Sequence, residues 1–450
     1  MKLVILGGGE SGTGAALLGK KLGYEIFLSD KKNIDEAHKA ILVAEAIPFE
    51  EGIHTEERIL AADLVVKSPG IPDSAPLIQK VRQKGIAVIS EIEFAGRHSD
   101  AVMICITGSN GKTTTTLLTH HILVQAGKDA GLAGNVGHSL AAQVAEKAHS
   151  LYVVELSSFQ LDGMYHFKAD TAIITNITPD HLDRYDHKFE NYVDSKFRIL
   201  NNMDGAGLFI YGYDCEVVRR RVADRKILSQ PVPFTYGKEA GIQPAEQEAC
   251  AYMEGDTIVV KLDGKIFRIG KDEVSIKGRH NVYNAMAAIL ACMHAGVSPE
   301  AIAEGLRSFP QVEHRLETVA LIEGVTYIND SKATNVDSAW YALDSMTTPV
   351  VWIAGGTDKG NDYTVLYDLV KQKVKALVCM GVDNRKLIEN FSGICPVADT
   401  HSLDEALAEA RKYAGKGDTV LLSPCCASFD LFQNYEQRGE LFKEKVRHLK

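Results

Sequence analysis

Long hydrophobic runs, basic clusters and cysteines at metal-ligand or redox spacing are absent from this 450-residue sequence. No apolar run reaches the roughly 18 residues of a membrane span, and the apolar stretch after Met1 is shorter than a signal-peptide core. The formal charge is −10, and lysine and arginine form no stripe suited to a nucleic-acid backbone. The eight cysteines lack metal-ligand spacing, and the one close pair, Cys425 and Cys426, is adjacent. These absences predict a cytoplasmic protein with reduced thiols that neither inserts into membranes nor binds nucleic acid.

The chain is long enough for two or three domains at about 150 residues each, and 45% hydrophobic residues can supply each with a core. In three regions, short β-branched runs end in Gly, Ser, Asn or Asp and precede helical periodicity, which is typical of parallel α/β sheets. We therefore predict an α/β protein with three domains, each on a mostly parallel sheet, over residues 1–93, 94–310 and 311–450. The predicted strands are Leu3–Leu6, Ile26–Leu28, Leu64–Val66, Ala87–Ile89, Val102–Ile106, Tyr152–Glu155, Thr171–Thr175, Thr326–Ile328, Val350–Ala354, Leu377–Met380 and Val420–Leu422, with a hairpin over Thr257–Ile269 that turns at Asp263 and Gly264.

The clearest chemical motif is Thr-Gly-Ser-Asn-Gly-Lys-Thr-Thr, residues 107–114, between a predicted strand and a predicted helix. This junction places backbone N–H groups and a helix N-terminus around a polyphosphate, with Lys112 on the β/γ oxygens and Thr113 facing Mg²⁺. Ile106 stands where the usual P-loop has its first glycine. The motif indicates nucleotide binding, with an ordinary strand-to-helix loop as the alternative.

Two more polar groups follow predicted strands of the same region. Glu155 ends one strand, and Asp180 with His181 follows the next. Open α/β sheets bind ligands at the carboxyl ends of their strands, so a carboxylate and an imidazole there are suited to Mg²⁺, directly or through water. Capping or surface roles are the alternative.

The helix predicted after His181 has a lysine on its apolar face. Phe189, Tyr192, Val193, Lys196 and Leu200 share one stripe at helical spacing. Either Lys196 snorkels to the surface, or it is a functional lysine with a lowered pKa.

Loops rich in glycine and charge recur in the other regions. Residues 329–335 (NDSKATN) and 355–362 (GGTDKGND) each follow a predicted strand and suit phosphate, ribose or a small anionic substrate. Near the N-terminus, residues 7–12 (GGGESG) precede Asp30 at the end of the next strand. That pattern is compatible with NAD, with another diphosphate such as a UDP-sugar, or with a tight turn.

Taken in order along the whole chain, these motifs resemble the Mur ligase family. The resemblance includes Glu155-Leu-Ser-Ser, Asn-Ile-Thr-Pro-Asp-His-Leu-Asp, Lys196, Gly278-Arg-His-Asn281 and Glu313-His-Arg315. It implies a Rossmann-like N-terminal domain, a P-loop ATPase-like central domain and a Rossmann-like C-terminal domain. Residues 422–430 (LSPCCASFD) and the following FQNYEQRG resemble the member that adds D-glutamate to UDP-N-acetylmuramoyl-L-alanine in peptidoglycan synthesis.

The resemblance implies a reaction and the residues for it. ATP phosphorylates the substrate carboxylate, and the amine of D-glutamate attacks the acyl phosphate, so that phosphate leaves. By analogy, the catalytic residues are Lys112, His181 and Lys196, and the metal site takes Thr113, Glu155, His181 and Lys196 as a carbamate. The family also implies two Mg²⁺ ions, with Mn²⁺ as a substitute; we further expect a monomer whose partners are its small-molecule substrates.

The binding residues implied by the resemblance fall in all three regions. For ATP they are Gly108, Ser109, Asn110, Gly111, Lys112, Thr113, Thr114, Asn281, Asn284, Arg315, Asp330 and Lys332. For the UDP-substrate they are Ser11, Gly12, Asp30, Lys31, Ser68, Asn135, Ser157 and Gln160, and for D-glutamate they are Thr334, Lys359, Ser428, Phe429 and Tyr435. Lys32 and Cys425 depart from the expected Arg and Ala.

Several alternatives remain at this point. A nicotinamide dehydrogenase would use the N-terminal glycines but leaves the P-loop unexplained. A P-loop motor or switch leaves the two C-terminal loops unexplained. Sibling ligases that add another amino acid, and folylpolyglutamate ligases, share most of the motifs.

Overall fold

The computed structural model describes residues 1–237 and 247–449. Residues 1–274 and 282–309 form one compact unit, here the first unit. Residues 275–281 and 310–450 form the second unit. The domain limits proposed from the sequence, 93 and 310, stay predictions.

The N-terminal domain is built on a five-stranded parallel sheet in the order β3-β2-β1-β4-β5. Its strands are β1 (Lys2–Leu6), β2 (Glu25–Asp30), β3 (Phe49–Glu51), β4 (Leu64–Lys67) and β5 (Ala87–Ile89). Its helices are α1 (Glu10–Lys21), α2 (Glu36–Ala44), α3 (Glu56–Ile59), α4 (Pro76–Gln83) and α5 (Glu91–Gly96). Because β1 lies between β2 and β4, the glycine loop after β1 lies where the strand order reverses, the usual place for a ligand.

The central domain has a nine-stranded sheet in the order β14-β13-β12-β11-β10-β9-β6-β8-β7. Its strands are β6 (Val102–Thr107), β7 (Ala130–Gly134), β8 (Leu151–Glu155), β9 (Thr171–Ile174), β10 (Leu208–Gly212), β11 (Gln230–Thr235), β12 (Cys250–Glu254), β13 (Thr257–Leu262) and β14 (Lys265–Gly270). Its helices are α6 (Lys112–Gln125), α7 (Leu140–Glu146), α8 (Ser158–Asp162), α9 (Phe189–Phe197), α10 (Glu216–Asp224), α11 (Arg279–His294) and α12 (Pro299–Ser308). Strand β6 lies between β8 and β9 and is parallel to both, so the segments that follow these three strands meet at one edge.

The C-terminal domain has a six-stranded sheet in the order β15-β16-β20-β17-β18-β19, in which only the β15–β16 pair is antiparallel. Its strands are β15 (Glu317–Ile322), β16 (Val325–Asn329), β17 (Val350–Gly355), β18 (Val374–Met380), β19 (Val397–Thr400) and β20 (Thr419–Cys425). Its helices are α13 (Val336–Ser345), α14 (Tyr367–Lys373), α15 (Arg385–Phe391), α16 (Leu403–Tyr413) and α17 (Tyr435–Arg447). Here the segments after β16, β20 and β17 lie side by side.

The sheets of the first unit share one hydrophobic core. Leu3 and Phe94 from the N-terminal domain and Leu140 from the central domain belong to the same buried cluster. Helices α1 and α7 approach so closely that a Cβ on Gly14 would lie 2.0 Å from Ser139 Oγ. The N-terminal and central domains are therefore packed together as one body.

The predicted fold class is confirmed, and so are the predicted strands and the β13–β14 hairpin. In the hairpin turn, Asp263 and Gly264 have φ values of 51° and 73°. Positive φ at both central residues is the geometry that an Asp-Gly turn favours.

Candidate active site

The P-loop follows the central strand β6 and depends on two glycines. Gly108 has φ +150°, and a Cβ there would lie 1.9 Å from Thr175 Oγ1. Gly111 has φ +83° and is the N-cap of α6, whose first helical residue is Lys112. Neither position accepts a side chain without strain, so the backbone turns tightly here and leads directly into the N-terminus of α6.

The segment after β9 braces the loop. The Ser109 hydroxyl accepts from Thr178 N at 3.0 Å, and Asn110 N donates to Asn176 Oδ1 at 2.9 Å. Lys112 Nζ donates to the Gly108 and Ser109 carbonyls, both at 2.8 Å. The ammonium group is thus held against the mouth of the loop, where phosphate oxygens would bind.

Thr113 and Thr114 lie in the first turn of α6 and are both buried. On the other side of the loop, Asn284 Oδ1 accepts from Thr115 Oγ1 at 3.2 Å, and a Cβ on Gly111 would lie 2.4 Å from it. Asn281 belongs to the second unit, where its side chain donates to Lys277 O. The structure therefore places Asn284 beside the P-loop.

Lys196 is buried beside the P-loop. It is 1% exposed, its Nζ donates to Gly108 O at 2.8 Å, and Nζ lies 4.5 Å from the centre of the Tyr192 ring. Burial lowers the pKa of Lys196 well below its usual value, and the nearby Lys112 charge acts in the same direction. Snorkelling does not describe this side chain, because its amine is inside the protein.

Glu155 ends β8 with an incompletely satisfied carboxylate. Its side chain is buried, and Oε1 accepts from Asn135 Nδ2 at 2.8 Å. Oε2 is buried too, and no donor among the described residues reaches it. A buried carboxylate oxygen without a partner is costly unless a cation or water completes it. This oxygen is therefore suited to bind Mg²⁺. Glu155 would hold the ion together with groups on the P-loop side.

His181 lies on the other flank, in the segment after β9. Its backbone is left-handed, with φ 52°, and its amide donates to Asp180 Oδ1 at 2.9 Å. The imidazole packs edge-on against Phe159, with ring centres 5.2 Å apart. Strained backbone of this kind is common at functional sites, where the surrounding structure enforces it.

Ser157 and Gln160, predicted to contact the acceptor, have a structural role at the start of α8. Ser157 Oγ accepts from Gln160 N, while Gln160 Oε1 accepts from Ser157 N at 2.9 Å. This reciprocal arrangement is a capping box. It orients the short helix that follows Glu155.

Five of the predicted UDP-substrate residues lie on or around the loop after β1. Gly8 N and Lys32 N donate to the two carboxylate oxygens of Asp30, at 2.7 and 2.8 Å. A Cβ on Gly12 would lie 1.9 Å from Gly7 O. Three further predicted residues border this loop: Ser11 in the first turn of α1, the exposed Lys31, and Ser68, which a Cβ on Gly7 would meet at 2.7 Å.

In the second unit, Asp330 and Arg315 are neighbours. Asp330 follows β16, is buried, and accepts from Ser423 Oγ at 2.8 Å and from Leu316 N at 3.2 Å. Burial raises the pKa of Asp330 to about 7, against the influence of Ser423 and Arg315. Arg315 Nε is buried without a partner among the described residues. The pair therefore offers a carboxylate and an unsatisfied donor to a polar ligand.

The predicted D-glutamate residues meet at one edge of the third sheet. Thr334 follows β16, Lys359 follows β17, and Ser428 and Phe429 follow β20, and these three strands are neighbours. Phe429 is 71% exposed and Lys359 is exposed, whereas Ser428 is buried. Tyr435 begins α17, and Lys332 Nζ lies 5.1 Å from the centre of its ring.

Two buried cations of α17 were missed by sequence reasoning. Arg438 is 1% exposed and its guanidinium donates to Ser331 Oγ and Ser331 O, at 3.0 and 2.9 Å. Lys443 is also buried, and its Nζ lies 2.7 Å from Glu440 and 3.3 Å from Glu317. The helical periodicity of α17 predicts that both positions are buried. Nothing in the sequence shows which groups these two side chains contact.

Comparison with known proteins assigns the family. The MurD N-terminal domain matches residues 2–76, the Mur ligase middle domain matches residues 106–292, and the Mur ligase, glutamate ligase domain matches residues 314–426. The chain belongs to the Mur ligase family, whose members are ATP-dependent ligases. The predicted family and ligase class are confirmed.

Relatives match along the full length. Proteins named UDP-N-acetylmuramoylalanine--D-glutamate ligase from Bacteroides fragilis and Bacteroides thetaiotaomicron are each 52% identical over 450 residues, which is 100% of both chains. Among solved structures, MurC from Thermotoga maritima has a TM-score of 0.62 at 21% identity and covers 99% of both chains. A pseudomurein peptide ligase type C from Methanothermus fervidus has a TM-score of 0.63 at 20% identity over 99% of each chain. These structures support the fold.

None of the helices in residues 1–237 and 247–449 has the length and hydrophobicity to cross a bilayer.

Proposed function

We propose that this chain joins D-glutamate to UDP-N-acetylmuramoyl-L-alanine, driven by ATP, as one step of peptidoglycan synthesis. The observation that carries the proposal is 52% identity over the entire chain to relatives named for that reaction. The P-loop and the loops of the third sheet agree with it. We further propose that the enzyme acts in the cytoplasm as a monomer.

In the first chemical step, an oxygen of the alanyl carboxylate attacks the γ-phosphorus of ATP and ADP leaves. A carboxylate is a poor acyl donor, and the acyl phosphate has a good leaving group. Lys112, held at the mouth of the P-loop, stabilises charge on the transferring phosphoryl group, and Arg315 is proposed to do so as well. Asp330 is proposed to accept from the ribose.

In the second step, the amine of D-glutamate attacks the acyl carbon and phosphate leaves from the tetrahedral intermediate. His181 is proposed to orient that intermediate. The amino acid is proposed to bind between Thr334, Lys359 and Ser428, whose loops share one edge of the sheet. The predicted Phe429 and Tyr435 complete this set.

Two Mg²⁺ ions, replaceable by Mn²⁺, are proposed to be held by Thr113, Glu155, His181 and a carbamylated Lys196. When bound, they supply Lewis-acid stabilisation of the phosphate charge. The unsatisfied Glu155 Oε2 supports this ligand set. The buried lysine supports it as well, because burial favours the neutral amine that carbamylation requires.

A phosphate-release assay tests the proposal. We expect phosphate release only when ATP, Mg²⁺, the UDP-muramoyl-alanine acceptor and D-glutamate are all present. A panel of L- and D-amino acids, each tested in place of D-glutamate, measures the specificity. Lys112→Ala should lower the rate of phosphate release by about 10³-fold or more, because the lysine stabilises charge in the transition state. Turnover with L-alanine or a diamino acid but not with D-glutamate would assign the chain to a sibling ligase.

A further inference from the structure

The short turn that begins at His181 carries a second side chain that the proposed mechanism does not use. Residues 182–184 form a single 3₁₀ turn, and Arg184 N donates to His181 O at 2.9 Å. This hydrogen bond ties the backbone of Arg184 to that of His181. Further along, Asp186 and His187 also have positive φ, at 56° and 55°. The whole segment is held in a strained form by contacts outside it.

Arg184 makes its contacts with two different elements. Its guanidinium carbon lies 4.3 Å from the centre of the Phe159 ring, and its terminal nitrogens lie 3.4 Å from the carbonyls of Pro69 and Gly70. Phe159 belongs to the central domain, and the two carbonyls belong to the loop after β4 in the N-terminal domain. The hydrogen bonds are long, so the aromatic face holds the guanidinium as much as the carbonyls do.

Phe159 links this arginine to the histidine. One face of the ring carries Arg184, and His181 packs edge-on at 5.2 Å, with 63° between the ring planes. Tyr185 stacks nearly parallel to Phe159, at 6.2 Å and 14°. Phe159 lies in α8, which the capping box orients, and both side chains pack against its ring.

The loop after β4 is fixed from its other side as well. Lys67 is buried, and its Nζ donates to Ile71 O at 2.6 Å. Residues 68–71 therefore lie between a buried lysine of their own domain and Arg184 of the next. This loop begins with Ser68, one of the residues predicted to contact the UDP-substrate.

We propose that Arg184 is a positioning residue that connects the 68–71 loop to His181 through Phe159. It thereby aligns the acceptor, bound by the N-terminal domain, with the imidazole that orients the reacting carboxyl group. The inference rests on the proposed function, because it assigns the acceptor to Ser68 and the carboxyl group to His181. A misplacement of about 1 Å at a reacting centre can lower the rate about 100-fold.

Steady-state kinetics of Arg184→Ala and Arg184→Lys provide the first test. We expect kcat/KM for the acceptor to fall about 100-fold in the alanine variant, with KM for ATP unchanged, because Arg184 contacts Phe159 and the loop after β4 rather than the P-loop. Lysine keeps the charge but not the planar fork, so it should restore only part of the loss. Arg219→Ala is the matched control, since Arg219 also donates to a carbonyl and lies 5.3 Å over a ring, that of Tyr213.

The nuclear magnetic resonance signal of the His181 ring provides a second test that needs no activity. In protein labelled with ¹³C-histidine, the signal is identified by its loss in His181→Gln. We expect the Phe159 ring current to shift it in the wild type and in Arg219→Ala, and the shift to collapse in Arg184→Ala. An unchanged His181 signal, or acceptor kcat/KM within about twofold of the wild type, would overturn the proposal. If the wild type lacks ligase activity, the proposed function fails, and the His181 signal alone decides the role of Arg184.

Discussion

Lys196 is 1% exposed and lies near Lys112, so a positive charge on its side chain is unfavourable. Lys196 donates to Gly108 O, so as a neutral amine it still satisfies one carbonyl of the P-loop. A neutral amine can take up CO₂ and become a carbamate, which exchanges a cation for an anionic oxygen of the kind that Mg²⁺ accepts. Carbamylation would therefore remove the conflict between burial and charge.

We expect Lys196→Ala and Lys196→Arg to lose phosphate release by about 100-fold or more, since neither can supply that oxygen. Formate or acetate should restore part of the activity of Lys196→Ala by occupying the vacated position. Wild-type activity should also fall in CO₂-depleted buffer and recover with bicarbonate. Lys188→Ala, at the exposed N-cap of the same helix, is the control. Near-normal turnover of Lys196→Arg would contradict the carbamate.

Asp330 is the second residue whose burial affects its charge. Its pKa is raised to about 7 in the folded protein. At a pH between the pKa of Asp330 in the unfolded chain and about 7, the Asp330 carboxyl is therefore ionised in the unfolded chain but keeps its proton in the folded protein. The contribution of Asp330 to the free energy of unfolding is complete at acid pH, and it is lost as the pH rises through the pKa of the folded state. Asp330 should therefore make the second unit less stable at neutral pH than at mildly acid pH.

Urea unfolding of the ligand-free protein at about pH 5 and about pH 8 measures this effect. Asp330→Asn cannot ionise, and we expect its midpoint to fall less between the two pH values than that of the wild type. Asp368→Asn, at an exposed position of α14, should behave as the wild type does. An equal fall in Asp330→Asn and in the wild type would show that another group governs the pH dependence.

At the residue scale, the sequence predicted functional groups better than it predicted their supports. Lys196 was detectable because a helical stripe put a charge on an apolar face. Arg184 and Arg438 were not detectable, since their partners are carbonyls and rings from distant parts of the chain. Which carbonyl an arginine meets depends on tertiary packing and leaves no local pattern.

At the element scale, the strands that lead into chemical motifs were all predicted. Strands β6, β8, β9, β16, β17 and β20 end in the loops that carry those motifs, and each has a short β-branched or apolar run. Strand β7 escaped prediction because its sequence, AGLAG, has little β propensity. Close packing explains its small residues, since a Cβ on Gly131 would lie 2.5 Å from the Tyr152 ring.

Two edge strands, β3 and β15, were also missed, for a different reason. Strand β3 has three partly buried residues, and β15 has Leu321 71% exposed, so neither shows the alternation of a half-buried strand. Their pairing is set by the neighbouring strand rather than by their own sequence. Site prediction did not suffer, because neither β3 nor β15 ends in a loop that carries a predicted site residue.

At the scale of the whole molecule, three sheets are distributed over two compact units. Buried polar contacts add to the shared core of the first unit: Glu91 is 3% exposed and its Oε1 accepts from Ser139 Oγ at 2.7 Å and from Ala141 N at 2.6 Å. Burial raises the pKa of Glu91 even so. These contacts add to the packing of the N-terminal and central domains into one compact unit, which the count of sheets alone would not suggest.

Both tryptophans of the chain, Trp340 and Trp352, lie in the second unit, and Trp352 is fully buried. Tryptophan fluorescence therefore reports the unfolding of that unit, whereas far-ultraviolet circular dichroism reports both. Chains with several units need not unfold in one step. In urea we expect the dichroism to show a transition that fluorescence does not.

Adding UDP should show that this transition is the unfolding of the first unit, because the residues predicted to bind UDP, including Asp30 and Ser68, all lie in that unit. A ligand at about 100 times its Kd adds about 2.7 kcal/mol to the stability of the unit that binds it. We therefore expect UDP to raise the midpoint of the fluorescence-silent transition and to leave the tryptophan transition in place. Asp30→Ala should lose the effect, since Asp30 accepts from Gly8 N and closes the glycine loop. Coincident transitions by the two probes, or an equal shift of both with UDP, would mean that the two units unfold as one.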